Sequence, residues 1–134
     1  MEIIDKMWGE EHIIENNDKY CLKFLIFNPR WRNSWHRHFR KDETFYVAAG
    51  KFHLITCKEH FNMEEGLLLP GDSIRIKPNT WHRLTGLAFH NKIIEVSTPF
   101  DDNDVERVQT GYEIYGTEEC RLNETERYIK GDKE

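Results

Sequence analysis

His36-Arg37-His38-Phe39-Arg40-Lys41-Asp42-Glu43-Thr44-Phe45-Tyr46-Val47-Ala48-Ala49-Gly50 is the stretch on which the fold turns. Two histidines two apart on a strand point to the same face. A turn through Arg40-Lys41-Asp42 then sets Glu43 at the start of the next strand, across from them. Residues 43–49 carry the aromatic and β-branched side chains of a strand, and Gly50 ends it. An HxH pair alone is common, and solvated histidines on a sheet face are its default reading. Downstream stands a second unit: Gly71, then the turn Lys77-Pro78-Asn79, then His82. Glu43 and Gly50 in register with the pair, followed by this unit, favour a metal site instead. Three neutral imidazoles and one carboxylate can converge inside a barrel. That set suits one borderline divalent transition ion, Zn, Mn, Fe, Co or Ni, rather than a calcium or magnesium cage. His12, His53, His60 and His90 lie in separate segments without partner spacing and read as surface or satisfied residues.

On either side of this stretch the chain reads as short strands broken by turns. Residues 20–27 form a strand stopped by Asn28-Pro29. Lys51 to Cys57 is expected as the antiparallel partner of residues 43–49. Leu67-Leu68-Leu69 runs into the turn Pro70-Gly71-Asp72. Ser73 to Lys77 alternates, with Ile74 and Ile76 on one face, and Pro78-Asn79-Thr80 turns the chain again. Residues 82–84 and 88–97 complete an all-β sandwich or barrel. Asp101-Asp102-Asn103-Asp104 is expected to cap a short helix through Gln109. Residues 118–134 are charged, with a frayed end.

The 134 residues make a single domain that can bury a core without staples. Aromatic residues make up 13%, which argues against a disordered chain. Nineteen basic against 24 acidic residues give a net charge of −5, so no general nucleic-acid binding is expected. No apolar run approaches the ~18 residues of a membrane span. The start, Met1-Glu2-Ile3-Ile4-Asp5-Lys6, has no basic-then-apolar leader pattern. Cys21, Cys57 and Cys120 are odd in number and form no CxxC, so neither a disulfide framework nor a thiolate zinc site is indicated. A cytoplasmic setting fits best.

The two units together resemble the two motifs of the cupin superfamily, G-x5-HxH-x3,4-E-x6-G and G-x5-PxG-x2-H-x3-N, over Arg30 to Gly86. The resemblance implies a double-stranded β-helix, a jelly-roll barrel, with its core at about residues 8–107 and a peripheral C-terminal segment, 108–134. It makes His36, His38, Glu43 and His82 the metal ligands. Arg30 stands where the first motif begins with Gly, Lys77 and Asn79 replace the Pro and Gly of PxG, and Gly86 stands for Asn. None of these is a ligand, so the departures concern the turns.

A second resemblance narrows the class. Trp8-Gly9-Glu10-Glu11, Tyr20-Cys21-Leu22-Lys23, Ser34-Trp35-His36, Ile94-Glu95-Val96 and Asp104-Val105-Glu106-Arg107 occur in the order seen in the cupin domain of type II mannose-6-phosphate isomerases. This implies an aldose–ketose isomerase acting on a sugar phosphate or sugar nucleotide. Strand parity puts Ser34 with the histidines, Phe45 with Glu43, Lys23 with Leu25 and Phe27, and Glu95 with Ile93 and Ser97. The expected substrate site is Lys23, Arg83, Phe45 and Ser34, with Glu95 and Lys23 as the catalytic candidates. Glu10 or Glu11 could serve as base in place of Glu95, and Glu95 could instead pair with Arg83. Trp31, Trp35 and Phe39 are expected outside the barrel, in a homodimer contact. Three rivals stand beside this: a metal-dependent Fe oxygenase, a metal-dependent lyase, and a non-catalytic sugar-binding module. Phe45 stands where such lyases place a tyrosine base, which counts against the second.

Overall fold

The computed structural model describes residues 1–58, 63–107 and 112–113. The strands among the described residues are, in order, β1 (Glu2–Lys6), β2 (Gly9–Asn16), β3 (Cys21–Phe27), β4 (Trp31–Arg32), β5 (His36–Arg37), β6 (Glu43–Ala49) and β7 (Phe52–Cys57). Then come β8 (Met63–Leu68), β9 (Ser73–Ile76), β10 (Trp81–Gly86), β11 (Asn91–Ser97), β12 (Glu106–Arg107) and β13 (Tyr112–Glu113). One sheet runs β1-β2-β3-β11-β6-β9; the other runs β12-β5-β10-β4-β13, with β7 joining β10 to β8. Every pairing is antiparallel, and no described residue is helical. The architecture is the jelly roll that the motifs imply.

Register divides the interior into an apolar and a polar end. Ile93 pairs with Leu25 and with Val47, and Leu84 with Leu54. With Trp8, Phe27, Phe45, Phe52 and Ile76 these make the core. Trp8 stacks on Phe27 at 4.2 Å, and Phe27 meets Phe52 edge-on at 5.3 Å. Each such buried side chain contributes about 1.5–3 kcal/mol. One pleat further along, the same inward positions turn polar: Glu95 pairs with Lys23, Ser97 with Glu43, and His82 with His36. The strands thus run from a hydrophobic floor into a charged pocket.

The turns explain the motif departures. Arg30 and Asn79 stand where the resembled motifs carry glycine, and among the described residues they are the two non-glycine residues with positive φ, 69° and 67°. The left-handed turn is kept at both. Asparagine adopts it with little strain, whereas arginine there costs about 1–2 kcal/mol. Gly50, at φ 87°, has no such latitude, because a Cβ would lie 2.2 Å from the His90 carbonyl oxygen.

Three expectations are corrected. β7 does not pair with β6: both edges of β6 are taken, by β11 and β9, and the chain crosses at Gly50 to the other sheet, where β7 pairs with β10 and β8. Residues 101–107 form a turn and β12 in place of a helix. Asp104 caps a distant turn, accepting the backbone N–H groups of Phe39 and Arg40 at 2.9 Å and of Lys41 at 3.0 Å. Trp31 and Trp35 are only half-buried positions, not an open patch. Trp31 packs on the core, Trp35 stacks on Trp81 at 6.0 Å, and Phe39 alone of the three is exposed, at 42%. His60 and the segment 108–134, apart from Tyr112 and Glu113, lie outside the described residues.

His53, read as ordinary, is a buried side chain 1% exposed on the outward face of β7. Burial, then the charges of Arg32 and Arg83, push its pKa down to about 3. The unfolded chain holds this proton below a pKa of ~6.5. Falling pH therefore favours unfolding: the stability is present above that value and lost as pH falls through the folded pKa. The slope from this one group is up to about 1.4 kcal/mol per pH unit. Denaturant titrations across this window are expected to give H53Q a shallower acid limb than the natural chain. Identical limbs would contradict the assignment.

Candidate metal centre

Each histidine of the cluster is held in one tautomer by the backbone. His36 Nδ1 donates to the carbonyl of Ser34 at 2.8 Å, His38 Nδ1 to that of Asp104 at 2.9 Å, and His82 Nδ1 to that of Thr80 at 2.9 Å. A carbonyl only accepts, so Nδ1 carries the proton in all three rings. Nε2 is left as a bare lone pair, the state a metal ligand needs. β10 brings His82 opposite His36 by direct pairing, and the parity of His36 and His38 completes the set. Ring nitrogens from all three lie within 4.8 Å of one another. All three side chains are buried. Desolvation, then the neighbouring His82, holds the His36 pKa well below the ordinary value. Desolvation and Lys41 bring His38 down to about 4. Both shifts favour the neutral imidazole at His36 and His38.

Glu43 closes the fourth side. Its Oε2 lies 3.2 Å from His82 Nε2 and 3.8 Å from His38 Nε2. With the protons on Nδ1, no hydrogen stands between these atoms, and His82 Nε2 is a buried nitrogen without a hydrogen-bond partner. Acceptor lone pairs face one another around a common point, an arrangement that a cation relieves. Burial alone would raise the Glu43 pKa; the Lys41 ammonium more than offsets this and keeps the carboxylate ionised. Three imidazole nitrogens and one carboxylate oxygen fit a divalent transition ion.

The pocket beside the cluster contains four of the expected residues. Lys23, Ser34, Phe45 and Glu95 all line it. Lys23 is 1% exposed, with its ammonium 3.5 Å from Glu11 and 3.4 Å from the centre of the Phe100 ring. Ser34 Oγ sits 3.2 Å from His36 Nδ1. Phe45 lies 5.9 Å from the His82 ring. Arg83 is not among the lining residues. It follows His82 on β10 and so points to the opposite face, where its guanidinium lies 5.9 Å from the Trp35 ring. The pairing of Glu95 with Arg83 does not form either; the Glu95 carboxylate meets Lys41 at 2.5 Å. Glu11 reaches the pocket, whereas Glu10 bonds to His12 on the outside.

Lys41, Phe100 and Arg107 were not anticipated as pocket residues. Lys41 shares the parity of Glu43, a usable signal that reading 40–42 only as a turn concealed. Arg107 reaches the pocket because β12 pairs with β5 opposite His36, and it donates to Ser34 Oγ at 3.1 Å. Desolvation raises the Glu95 pKa, a tendency that Lys41 opposes and Glu43 reinforces.

The chain thus combines an all-β jelly roll with a buried three-histidine cluster that could hold a metal ion at its polar end. Residues 23–88 match the family described as Cupin domain, and with the fold this supports placing the chain in the cupin superfamily. No curated protein gives a match. Among solved structures, variants of Bacillus subtilis oxalate decarboxylase align with TM-score 0.73 and 13% identity, over 80% of this chain and 30% of theirs. A formate complex of Lactobacillus farciminis oxalate decarboxylase aligns with TM-score 0.72 and 13% identity, over 80% and 33%. KdgF from a Halomonas species aligns with TM-score 0.64 and 20% identity, over 77% of this chain and 90% of its own. The chain thus spans about a third of the oxalate decarboxylases it resembles, and these likenesses concern the fold. No helix among the described residues is long and apolar enough to cross a membrane.

Proposed function

We propose that the chain is a cytoplasmic metal-dependent enzyme acting on a small sugar phosphate or sugar nucleotide, most simply as an aldose–ketose isomerase. The observation that carries this is the buried pocket joining a three-histidine, one-carboxylate cluster to an ionisable Glu95 and to cations. A bound divalent ion supplies the Lewis acid for a carbonyl and its neighbouring hydroxyl. Glu95 takes the proton from the carbon bearing that hydroxyl and returns it to the former carbonyl carbon, while the hydroxyl proton passes to the former carbonyl oxygen. Lys23 and Arg107 hold the anionic end, Arg107 taking the part expected of Arg83. Phe45 packs on the C–H face of the substrate.

Metal analysis of protein purified without chelators, followed by a sugar-phosphate panel, tests this. One ion per chain and interconversion of an aldose and a ketose phosphate are expected. Binding without interconversion would favour the sugar-binding module. Oxygen consumption by the Fe(II)-loaded protein would favour the oxygenase, which the same donor set also suits.

We further propose that a second copy of the chain covers the face carrying Phe39, Trp35 and Trp81. Arg37 already lies 5.0 Å from the ring centres of Phe39 and Trp81. Sedimentation at micromolar concentration should show a two-chain species; only single-chain species would refute the contact.

A further inference from the structure

We propose that Lys41 is a positioning residue that limits Glu43 to one donor oxygen at the metal centre and so holds metal affinity down. This rests on the metal-centre reading but not on the reaction assigned to it. The Lys41 side chain is 3% exposed. Its Nζ lies 3.3 Å from Glu43 Oε1 and 2.5 Å from Glu95 Oε2. The other oxygen of Glu43, Oε2, is the one that faces His82 and His38.

A carboxylate can bind a metal ion through one oxygen or through both. Here Oε1 is engaged by a buried ammonium, in a contact stronger than a neutral hydrogen bond. Oε2 alone remains for the ion. Three ring nitrogens and that one oxygen would hold the ion and would leave part of it accessible to substrate oxygens. Glu95 anchors the ammonium by the shorter contact, which keeps Lys41 between the two acids instead of letting it turn outward. A fixed positive charge so near the ion also opposes its binding, because charges in a dry site are poorly screened.

A simpler role would have Lys41 only neutralise two buried acids. Its removal would then loosen the site and weaken metal binding. The proposal gives the opposite sign. In K41M, Glu43 is free to offer both oxygens and the repulsion is gone.

The test is the affinity of metal-free protein for Mn²⁺ and Zn²⁺, by calorimetry with a competing chelator. K41M is expected to bind at least about tenfold more tightly than the natural chain, and K41R, which keeps the cation, within about twofold of it. Equal or weaker binding by K41M overturns the proposal, as does K41R binding as tightly as K41M. Should K41M not fold, infrared difference spectra of the natural chain with and without Zn²⁺, with E43Q to assign the bands, decide the matter. A wide splitting of the carboxylate stretches marks one-oxygen binding; a narrow, two-oxygen splitting overturns it. A natural chain that binds neither ion would overturn this proposal together with the metal centre. Metal binding with unchanged affinity in K41M would overturn this one alone.

Discussion

H38A is expected to lose stoichiometric binding of a divalent ion and, with it, all metal-dependent turnover. His38 is one of three buried histidines with ring nitrogens within 4.8 Å of one another, and its Nδ1 is tied to the Asp104 carbonyl. Without it, one imidazole donor of the set is gone. The thermal effect should also be large. An ion present at about a thousand times its Kd stabilises the folded state by about 4 kcal/mol. For a domain of this size that corresponds to a fall in Tm on the order of 10 °C. Removing the ion from the natural chain with a chelator should produce most of the same fall, whereas H38A should be insensitive to the chelator. Elemental analysis is the direct check, and a full equivalent of metal retained by H38A would refute the ligand assignment.

E95Q should have the second-largest effect: kcat lower by roughly 10²–10⁴ with the metal retained, the loss expected when a general base is removed. Glu95 is 4% exposed and lies opposite Lys23 and Phe45 in the sheet, facing the histidine cluster across the pocket. Desolvation pushes its pKa upward while Lys41 restrains the rise. A carboxylate so placed can accept a proton and give it back. Glutamine keeps the shape and removes the proton exchange. Full activity in E95Q would discard Glu95 as the base while leaving the isomerase reading in place, with Glu11 the remaining carboxylate at the pocket.

Much of the site was legible because a strand has a period of two. That period puts His36 with His38, Glu43 with Phe45, Lys23 with Leu25, and Glu95 with Ile93 and Ser97, while the pairing that sets Lys23 opposite Glu95 is tertiary. The same rule excludes Arg83, which adjoins His82 and must point away, and it admits Lys41, two residues before Glu43. Both placements follow from the same period of two.

Local sequence, then, determined the strands, the faces their side chains take, and the histidine–carboxylate pattern, since each depends on backbone geometry over a few residues. Tertiary structure decided the rest. β7 crosses to the second sheet because both edges of β6 are occupied by strands from elsewhere. Asp104 caps the turn at Phe39–Lys41 from more than sixty positions away. Arg107 enters the pocket only because β12 pairs with β5. Buried backbone donors and charges must find partners wherever the chain brings them. Which partners they meet depends on contacts remote in sequence, and no local period encodes those.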